Sequence, residues 1–450
     1  MDLMNRIHDR SCTYGVIGLG YVGLPLAVAF AQKGIKTVGF EVDPRKVEAI
    51  AAGTSYIADV PTSHVAEEVK AGRFEATLDM GRLAEVDVIS ICVPTPLSKS
   101  RDPDLSYVDA ALSAVERVLR PGQLVVLEST TYPGMTEEYL LPRLEATGLR
   151  LGEEFALAFS PERVDPANET YGIKNTPKVV GGCGKMSTDL AKTFYEIAID
   201  HVHAISSAAG AEMVKLLENT FRSVNIALVN EVAMMCDRLG LDAQEVIDAA
   251  ATKPFGFMAF RPGPGIGGHC IPLDPIYLSW KLRHLDYRAR FVELAQDINT
   301  GMPHYLADRI ANTLNDAEKS VKGSNILLLG VAYKKDVDDM RESPALEVMR
   351  ELQARGAHVS FADPHVEQFD LLGARYERVE LTPEALAEAD CVVVTTAHSC
   401  VDWTSVAHHA RRIVDARGVV PRDAVTGVLV PLSGPAWSAA EEGTKRAEAG

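Results

Sequence analysis

The sequence predicts an α/β protein in which two doubly wound parallel-sheet domains are joined by a long central helix and a helical middle domain. Three stretches support this. Residues 13–43 run apolar strand, glycine loop, helix pattern and second strand, the order of a Rossmann-like unit. Residues 210–239 hold a helical pattern that Gly240 closes. A second series of short apolar strands and helices begins at Asn325.

In the first stretch, the strand at 13–17 leads into Gly18, Leu19, Gly20, Tyr21, Val22 and Gly23. A helix pattern follows at 24–33 and stops at Gly34, and the strand at 37–40 ends in Glu41, Val42 and Asp43. The glycines let the chain turn tightly and let backbone amides approach a pyrophosphate at the helix N-terminus. Glu41 or Asp43, about 20 residues further on, would accept from ribose hydroxyls. An acidic ribose reader favours NAD over NADP, although Lys46 stands close enough to blur the preference. The bland alternative is a helix–strand turn with no ligand.

Strands are then expected at 87–93, 124–127 and 154–159, with a helix at 107–119. Thr95, Thr130, Glu162 and Arg163 fall just beyond their carboxyl ends, where open α/β sheets gather ligands. Singly each reads as a cap or turn residue; together they outline a crevice.

The helix at 210–239 would span roughly 45 Å and is apolar on most faces, so it is expected to be central and covered. Lys215, Asn219 and Arg222 share one of its faces, either as a solvated stripe or as a polar stripe turned to a ligand. The loop at 263–275 is rich in glycine and proline and holds Cys270, with His269 before it and Asp274 after. Such a loop suits a reactive thiol, and equally a tight structural turn with an inert one.

Helices continue to about residue 317. The second α/β unit has expected strands at 326–329, 358–361, 391–395 and 412–415, and Ser343 and Pro344 look like the cap and first residue of a helix. No triple-glycine fingerprint occurs there, so a second NAD site is not expected. Lys334, Lys335 or Arg341 would meet a nucleotide-like ligand at its strand ends, or else form a solvated charged loop.

A net charge of −17 argues against nucleic acid and anionic membrane as partners. The seven cysteines are irregularly spaced and form no metal-type pair, so reduced thiols, no metal and a cytoplasmic location are expected. Neither a secretory leader nor an apolar run of membrane-spanning length is recognisable.

Taken in order, these motifs resemble the UDP-glucose/GDP-mannose dehydrogenase family over residues 11–432. They are the glycine loop through Leu24 and Pro25; Ser129 and Thr130; Ser160, Pro161 and Glu162; and Lys215 with Glu218, Asn219 and Thr220. Gly267, Gly268, His269 and Cys270 with Pro272 and Asp274 follow, then Lys334, Lys335 and Asp336 with Arg341. The resemblance implies four-electron oxidation of a nucleotide-sugar C6 alcohol to a carboxylate with two NAD in succession. It makes Cys270 the nucleophile, forming a thiohemiacetal and then a thioester. Lys215 and Asn219 would stabilise oxygen charge, Thr130 and Asp274 would arrange water and protons, and Glu162 would assist hydrolysis.

By the same resemblance, Gly18, Gly20, Tyr21, Val22, Gly23, Glu41, Asp43, Lys46, Thr95, Thr130 and Arg341 would bind the cofactor. Glu162, Arg163, Lys215, Asn219, Arg222, Phe260, Arg261, Gly267 and Lys334 would bind substrate. The loop through Leu273 is similar to the branch acting on UDP-N-acetylhexosamines. Leu273 stands where UDP-glucose enzymes more often carry Lys, and Pro166 where a second Glu is usual. UDP-N-acetylglucosamine is the expected substrate, with UDP-N-acetylmannosamine and UDP-glucose as alternatives and a non-catalytic nucleotide-sugar binder as the different class. The expected domains are 1–205 for NAD, 206–320 for the central helix, dimerisation and the cysteine loop, and 321–433 for the UDP-sugar, with a flexible tail at 434–450. A homodimer or higher homo-oligomer is expected.

Overall fold

The computed structural model describes residues 2–57, 59–98, 102–163, 170–268 and 271–438. Cys270 and His269, Pro166, and residues 439–450 of the tail expected at 434–450 lie outside the described residues. Trp437 and Ser438 of that stretch instead pair with Leu429 and Val428 as a sheet strand, because the chain returns antiparallel along the sheet edge. The chain forms two compact units, Met1–Glu218 with Ile276–Arg288, and Asn219–Pro275 with Ala289–Gly450.

The first unit is built on eight strands: β1 (Thr13–Ile17), β2 (Lys36–Phe40), β3 (Phe74–Thr77), β4 (Val88–Ile91), β5 (Leu124–Leu127), β6 (Ala156–Phe159), β7 (Lys178–Gly182) and β8 (Val202–Ile205). Their order is β3-β2-β1-β4-β5-β6-β7-β8. All neighbours pair in parallel except β6 and β7. The strands read as continuous apolar runs because helices cover both faces. Successive crossovers leave β1 in opposite directions, to β2 and to β4, which places the switch point at the end of β1. On one face an aromatic cluster fixes the helices: Phe30 stacks on Phe194 at 4.3 Å, and Tyr14 leans on both.

The second unit carries β9 (Asn325–Leu329), β10 (His358–Ala362), β11 (Gln368–Leu371), β12 (Ala374–Glu377), β13 (Cys391–Val394), β14 (Arg412–Asp415), β15 (Val428–Pro431) and β16 (Trp437–Ser438). The six-stranded order is β10-β9-β13-β14-β15-β16, with β11 and β12 a separate hairpin. Met302, Leu306, Ile310 and Leu314 of the helix Arg290–Asn315 lie in the core on one side of this sheet. Two Rossmann-like sheets and helical middle segments are therefore present, as the sequence pattern predicts.

Two local expectations change. The helix Ala208–Leu239 is continuous, but Leu217, Phe221, Leu228, Met235 and Leu239 are exposed while Leu216, Ala227, Val229 and Ala233 are buried. The chain covers only part of its circumference. Ser343 occupies the N-cap position of the helix Pro344–Ala354, yet its hydroxyl makes no cap bond and is buried without a partner. Strands β7 and β8 and the hairpin carry too little local periodicity to be read from sequence.

Replacing Phe194 by Ala opens a cavity in the aromatic cluster and should destabilise the first unit by about 3–5 kcal/mol, measured by denaturant unfolding.

Candidate functional site

The glycine loop lies at the switch point of the first sheet. Gly18 has φ +89°, and a Cβ there would come within 2.7 Å of the Cys92 carbonyl oxygen. At Gly23 it would meet the Gly18 carbonyl oxygen at 1.9 Å, so helix and loop close together only with glycine. Gly20 has nothing within 4 Å of such an atom. The outer glycines thus serve internal packing, and the middle one leaves its backbone open to a ligand. Val22 stands at the N-cap of the helix Gly23–Gln32, whose positive end faces the loop, and Tyr21 is exposed.

Glu41, at the tip of β2, is buried and accepts from the amides of Val42 at 2.8 Å and Leu19 at 3.1 Å. Burial pushes its carboxyl up, but these amides and the Lys46 ammonium outweigh it and hold it below the ordinary value. Lys46 pairs with Glu41 at 3.0 Å, so its charge is spoken for and less able to recruit a second phosphate. Asp43 caps the helix Pro44–Ala51 and pairs with Arg45 at 2.7 Å. These features fit NAD: an open glycine backbone, a helix N-terminus, and an acid at the ribose position.

Beyond the next strands, the Ser129 hydroxyl donates to the Val93 carbonyl at 2.8 Å, tying the segment of Thr130 to that of Thr95. The Tyr277 hydroxyl donates to the Thr95 carbonyl at 3.0 Å. On the central helix, Lys215 Nζ donates to the Glu162 carbonyl at 2.7 Å. Arg163 forms an ion pair with Glu218 at 2.6 Å. Glu212, one turn before Lys215, accepts from the Gly134 amide at 2.5 Å and from the Thr136 hydroxyl at 2.6 Å. Within this unit the structure brings Thr95, Thr130, Glu162, Arg163 and Lys215 to the strand ends.

In the second unit, Asn219 Nδ2 donates to Asp274 at 2.5 Å, and both residues are buried. Asn230 accepts from the Gly263 amide at 3.0 Å, fixing the start of the cysteine loop. The loop then presses on the segment after β9: the Gly268 amide donates to the Arg341 carbonyl at 2.9 Å. A Cβ on Gly267 would lie 2.7 Å from Tyr333. Arg222 is exposed on the helix. Phe260 packs edge-on against Phe221, and the Arg261 guanidinium pairs with Asp248. Lys334 is half-buried and Lys335 exposed, while Arg341 forms an ion pair with Asp339 at 2.6 Å.

Several residues escaped the sequence reading. Asp363, at the tip of β10, accepts from the amides of Val331 at 2.7 Å and Ala332 at 3.1 Å. Burial opposes its charge, but His398 and the amides of Val331 and His365 hold it down to about 2. His398 accepts from the Asp336 amide at Nδ1, so Nε2 carries the proton toward Asp363. Asp336, His365 and His398 cluster as metal ligands can, but both His398 nitrogens are already engaged. Arg417 follows β14, donates to the Thr395 carbonyl at 2.7 Å, and lines a cavity of about 330 Å³ with Pro262, Asp415 and Gly418. The rule that ligands collect beyond strand ends could have found Arg417, two residues past Asp415.

Models of the UDP-glucose/GDP-mannose dehydrogenase family match all three parts of the sequence. The NAD binding domain covers residues 12–199, the central domain 209–301 and the UDP binding domain 327–422. The chain belongs to this family. It is an NAD-dependent nucleotide-sugar dehydrogenase. It is 34% identical over 386 residues to UDP-N-acetyl-D-glucosamine 6-dehydrogenase of Pseudomonas aeruginosa, spanning 85% of this chain and 90% of that one. It is 35% identical over 411 residues to UDP-N-acetyl-D-mannosamine dehydrogenase of Pyrococcus horikoshii, spanning 90% and 95%. The solved UDP-N-acetyl-D-mannosamine dehydrogenase of Pyrococcus horikoshii matches with a TM-score of 0.85 and 33% identity, over 93% of this chain and 99% of that one.

Burial pushes the Glu212 carboxyl from an ordinary 4.5 up to about 7, against the donors of Thr136 and Gly134. The folded enzyme then holds this proton through a range where the unfolded chain has lost it. Stability of the first unit should therefore fall as pH rises through that window, by up to about 3 kcal/mol. Urea unfolding at pH 5 and pH 8 measures the slope, and Glu212→Gln should flatten it.

Proposed function

We propose that this dehydrogenase oxidises the C6 hydroxyl of a UDP-N-acetylhexosamine to the uronic acid, with UDP-N-acetylglucosamine as substrate. The observation that carries the sugar is the loop Ile271, Pro272, Leu273, Asp274 and Pro275, with Leu273 in place of a lysine. The Pseudomonas aeruginosa relative supports it. UDP-N-acetylmannosamine is the second reading, favoured by the likeness in sequence and structure to the Pyrococcus horikoshii enzyme.

Bound at the glycine loop, NAD supplies the hydride acceptor, two equivalents per sugar. Cys270 holds C6 as a thiohemiacetal and then a thioester, so the aldehyde is not released between the oxidations. Lys215 and Asn219 steady the developing oxygen charge, a task that suits a cation and an amide one turn apart on a rigid helix. Asp274, held by Asn219, and Thr130 place water and move protons. Glu162 takes a proton from the hydrolytic water. Arg163, Arg222, Phe260, Arg261, Gly267 and Lys334 bind the nucleotide sugar, joined by Arg417. Gly18, Gly20, Tyr21, Val22, Gly23, Glu41, Asp43, Lys46 and Thr95 hold NAD, with Arg341 also assigned to it.

The working divisions are 1–205 for NAD, 206–320 for the central helix and 321–433 for UDP. The enzyme works as a homo-oligomer in the cytoplasm. Exposed Leu228, Met235, Phe255, Met258 and Phe291 support self-association, since such apolar area is costly to leave in water. No helix among the described residues is long and apolar enough to cross a membrane.

Initial rates on UDP-N-acetylglucosamine, UDP-N-acetylmannosamine, UDP-N-acetylgalactosamine and UDP-glucose test the reading. UDP-N-acetylglucosamine should be fastest, with two NADH formed per uronate. Cys270→Ala should lose turnover roughly a thousandfold or more. One NADH per sugar, or normal turnover without the thiol, would remove the covalent route.

A further inference from the structure

Behind the segment that carries Glu162, the first unit buries a charged cluster that the reaction as described leaves unused. Lys178, the first residue of β7, is 5% exposed, and Glu128, which follows β5, is 2% exposed. Lys178 Nζ lies 2.7 Å from Glu128 Oε2 and 4.0 Å from Glu162 Oε2. It also reaches the Pro161 carbonyl at 3.5 Å. The other oxygen of Glu128 accepts from the Tyr195 phenol and from the Ser90 hydroxyl, the latter at 3.4 Å. Lys178 Nζ sits 5.0 Å from the Tyr195 ring centroid. Tyr14 and the Cys92 thiol also face the cluster, and burial pushes both far up, so they stay neutral.

A buried ion pair is weak evidence for stability, because apolar residues of the same volume usually serve as well. This one has an asymmetry that packing does not require. A single ammonium faces two carboxylates, a near one sealed from water and a far one on the segment at the strand ends. Burial works against charge on Lys178, but the carboxylates of Glu128 and Glu162 outweigh it and keep it protonated. Burial pushes Glu128 up, and Lys178 opposes that.

We propose that Lys178 and Glu128 are positioning residues for Glu162: the ammonium aims and favours the Glu162 carboxylate, and Glu128 sets how much positive field Lys178 has left to offer it. The inference rests on Glu162 handling the hydrolytic water. In that step the water oxygen bonds to the thioester carbon, its proton passes to Glu162, and the carbon–sulfur bond breaks to return the Cys270 thiolate. Lys178 stays charged throughout, so the proton comes to rest on Glu162 and not on the lysine. Removing the Lys178 ammonium takes away the positive field at the Glu162 carboxylate, and removing the Glu128 charge strengthens it.

The two partners therefore have opposite signatures. In the full-length enzyme, kcat for uronate release is followed from pH 5.5 to 9.5, with KM, NAD affinity and thermal unfolding measured alongside. Lys178→Met should move the acid limb to higher pH by about one unit and lower kcat more than it raises KM. Glu128→Gln should move the limb to lower pH, and the double variant should return it toward the wild type. If Lys178→Met does not fold, Glu128→Gln, which keeps the volume, decides alone. Limbs that stay in place, or that move the same way in both single variants, overturn the proposal and leave a structural ion pair. A wild type that oxidises none of the UDP-sugars defeats the functional reading itself, before any variant is compared.

Discussion

A carboxylate at the tip of the second strand holds the loop after the first strand in each of the two sheets. Parallel strands leave their last amides without partners, and a loop that must stay open for a ligand cannot use them up by folding on itself. Glu41 at the end of β2 takes the Leu19 amide, and Asp363 at the end of β10 takes those of Val331 and Ala332. The glycine loop and the Lys334 segment are thus braced by the same device. Both carboxyls are held below their ordinary range, since the donors outweigh burial in each case. The bracing acts only while they are charged, so it is present at neutral pH and is lost as pH falls through their lowered values.

The central helix distributes polar side chains by the same logic. Glu212, Lys215 and Glu218 lie a turn apart, and each meets a different part of a segment beyond β5 or β6. A buried or half-buried polar group is tolerated when it is hydrogen-bonded, and here those bonds also fix the segments of Thr130 and Glu162. Further along, Asn219 and Asn230 do this for Asp274 and Gly263. Positions that look like scattered polar exceptions on an apolar helix are its working points.

Much of this was legible in the sequence because it is local. The glycine loop, the acid after β2 and the strands β1, β4, β5, β6, β9, β13 and β14 announce themselves within short windows of chain. Lys215 and Asn219 stood out as polar residues on an apolar helix. What escaped depends on distant pairing. Lys178 looks like an ordinary strand-opening lysine until β7 turns antiparallel to β6 and buries it against Glu128. Asp363 looks like a turn residue until it collects amides from the segment after β9. The cover expected for the whole central helix is absent along the stripe of Leu217, Phe221 and Leu228, because periodicity reports that a face is apolar and not what packs on it.

The account turns on sulfur carrying the sugar between its two oxidations. Enzyme mixed with NAD and UDP-N-acetylglucosamine, quenched in acid during turnover and digested, is the most direct probe of it. The peptide containing Cys270 should gain the mass of the acylated sugar nucleotide while uronate is forming. That peptide remaining at its unmodified mass, with free aldehyde released into solution, would contradict the account.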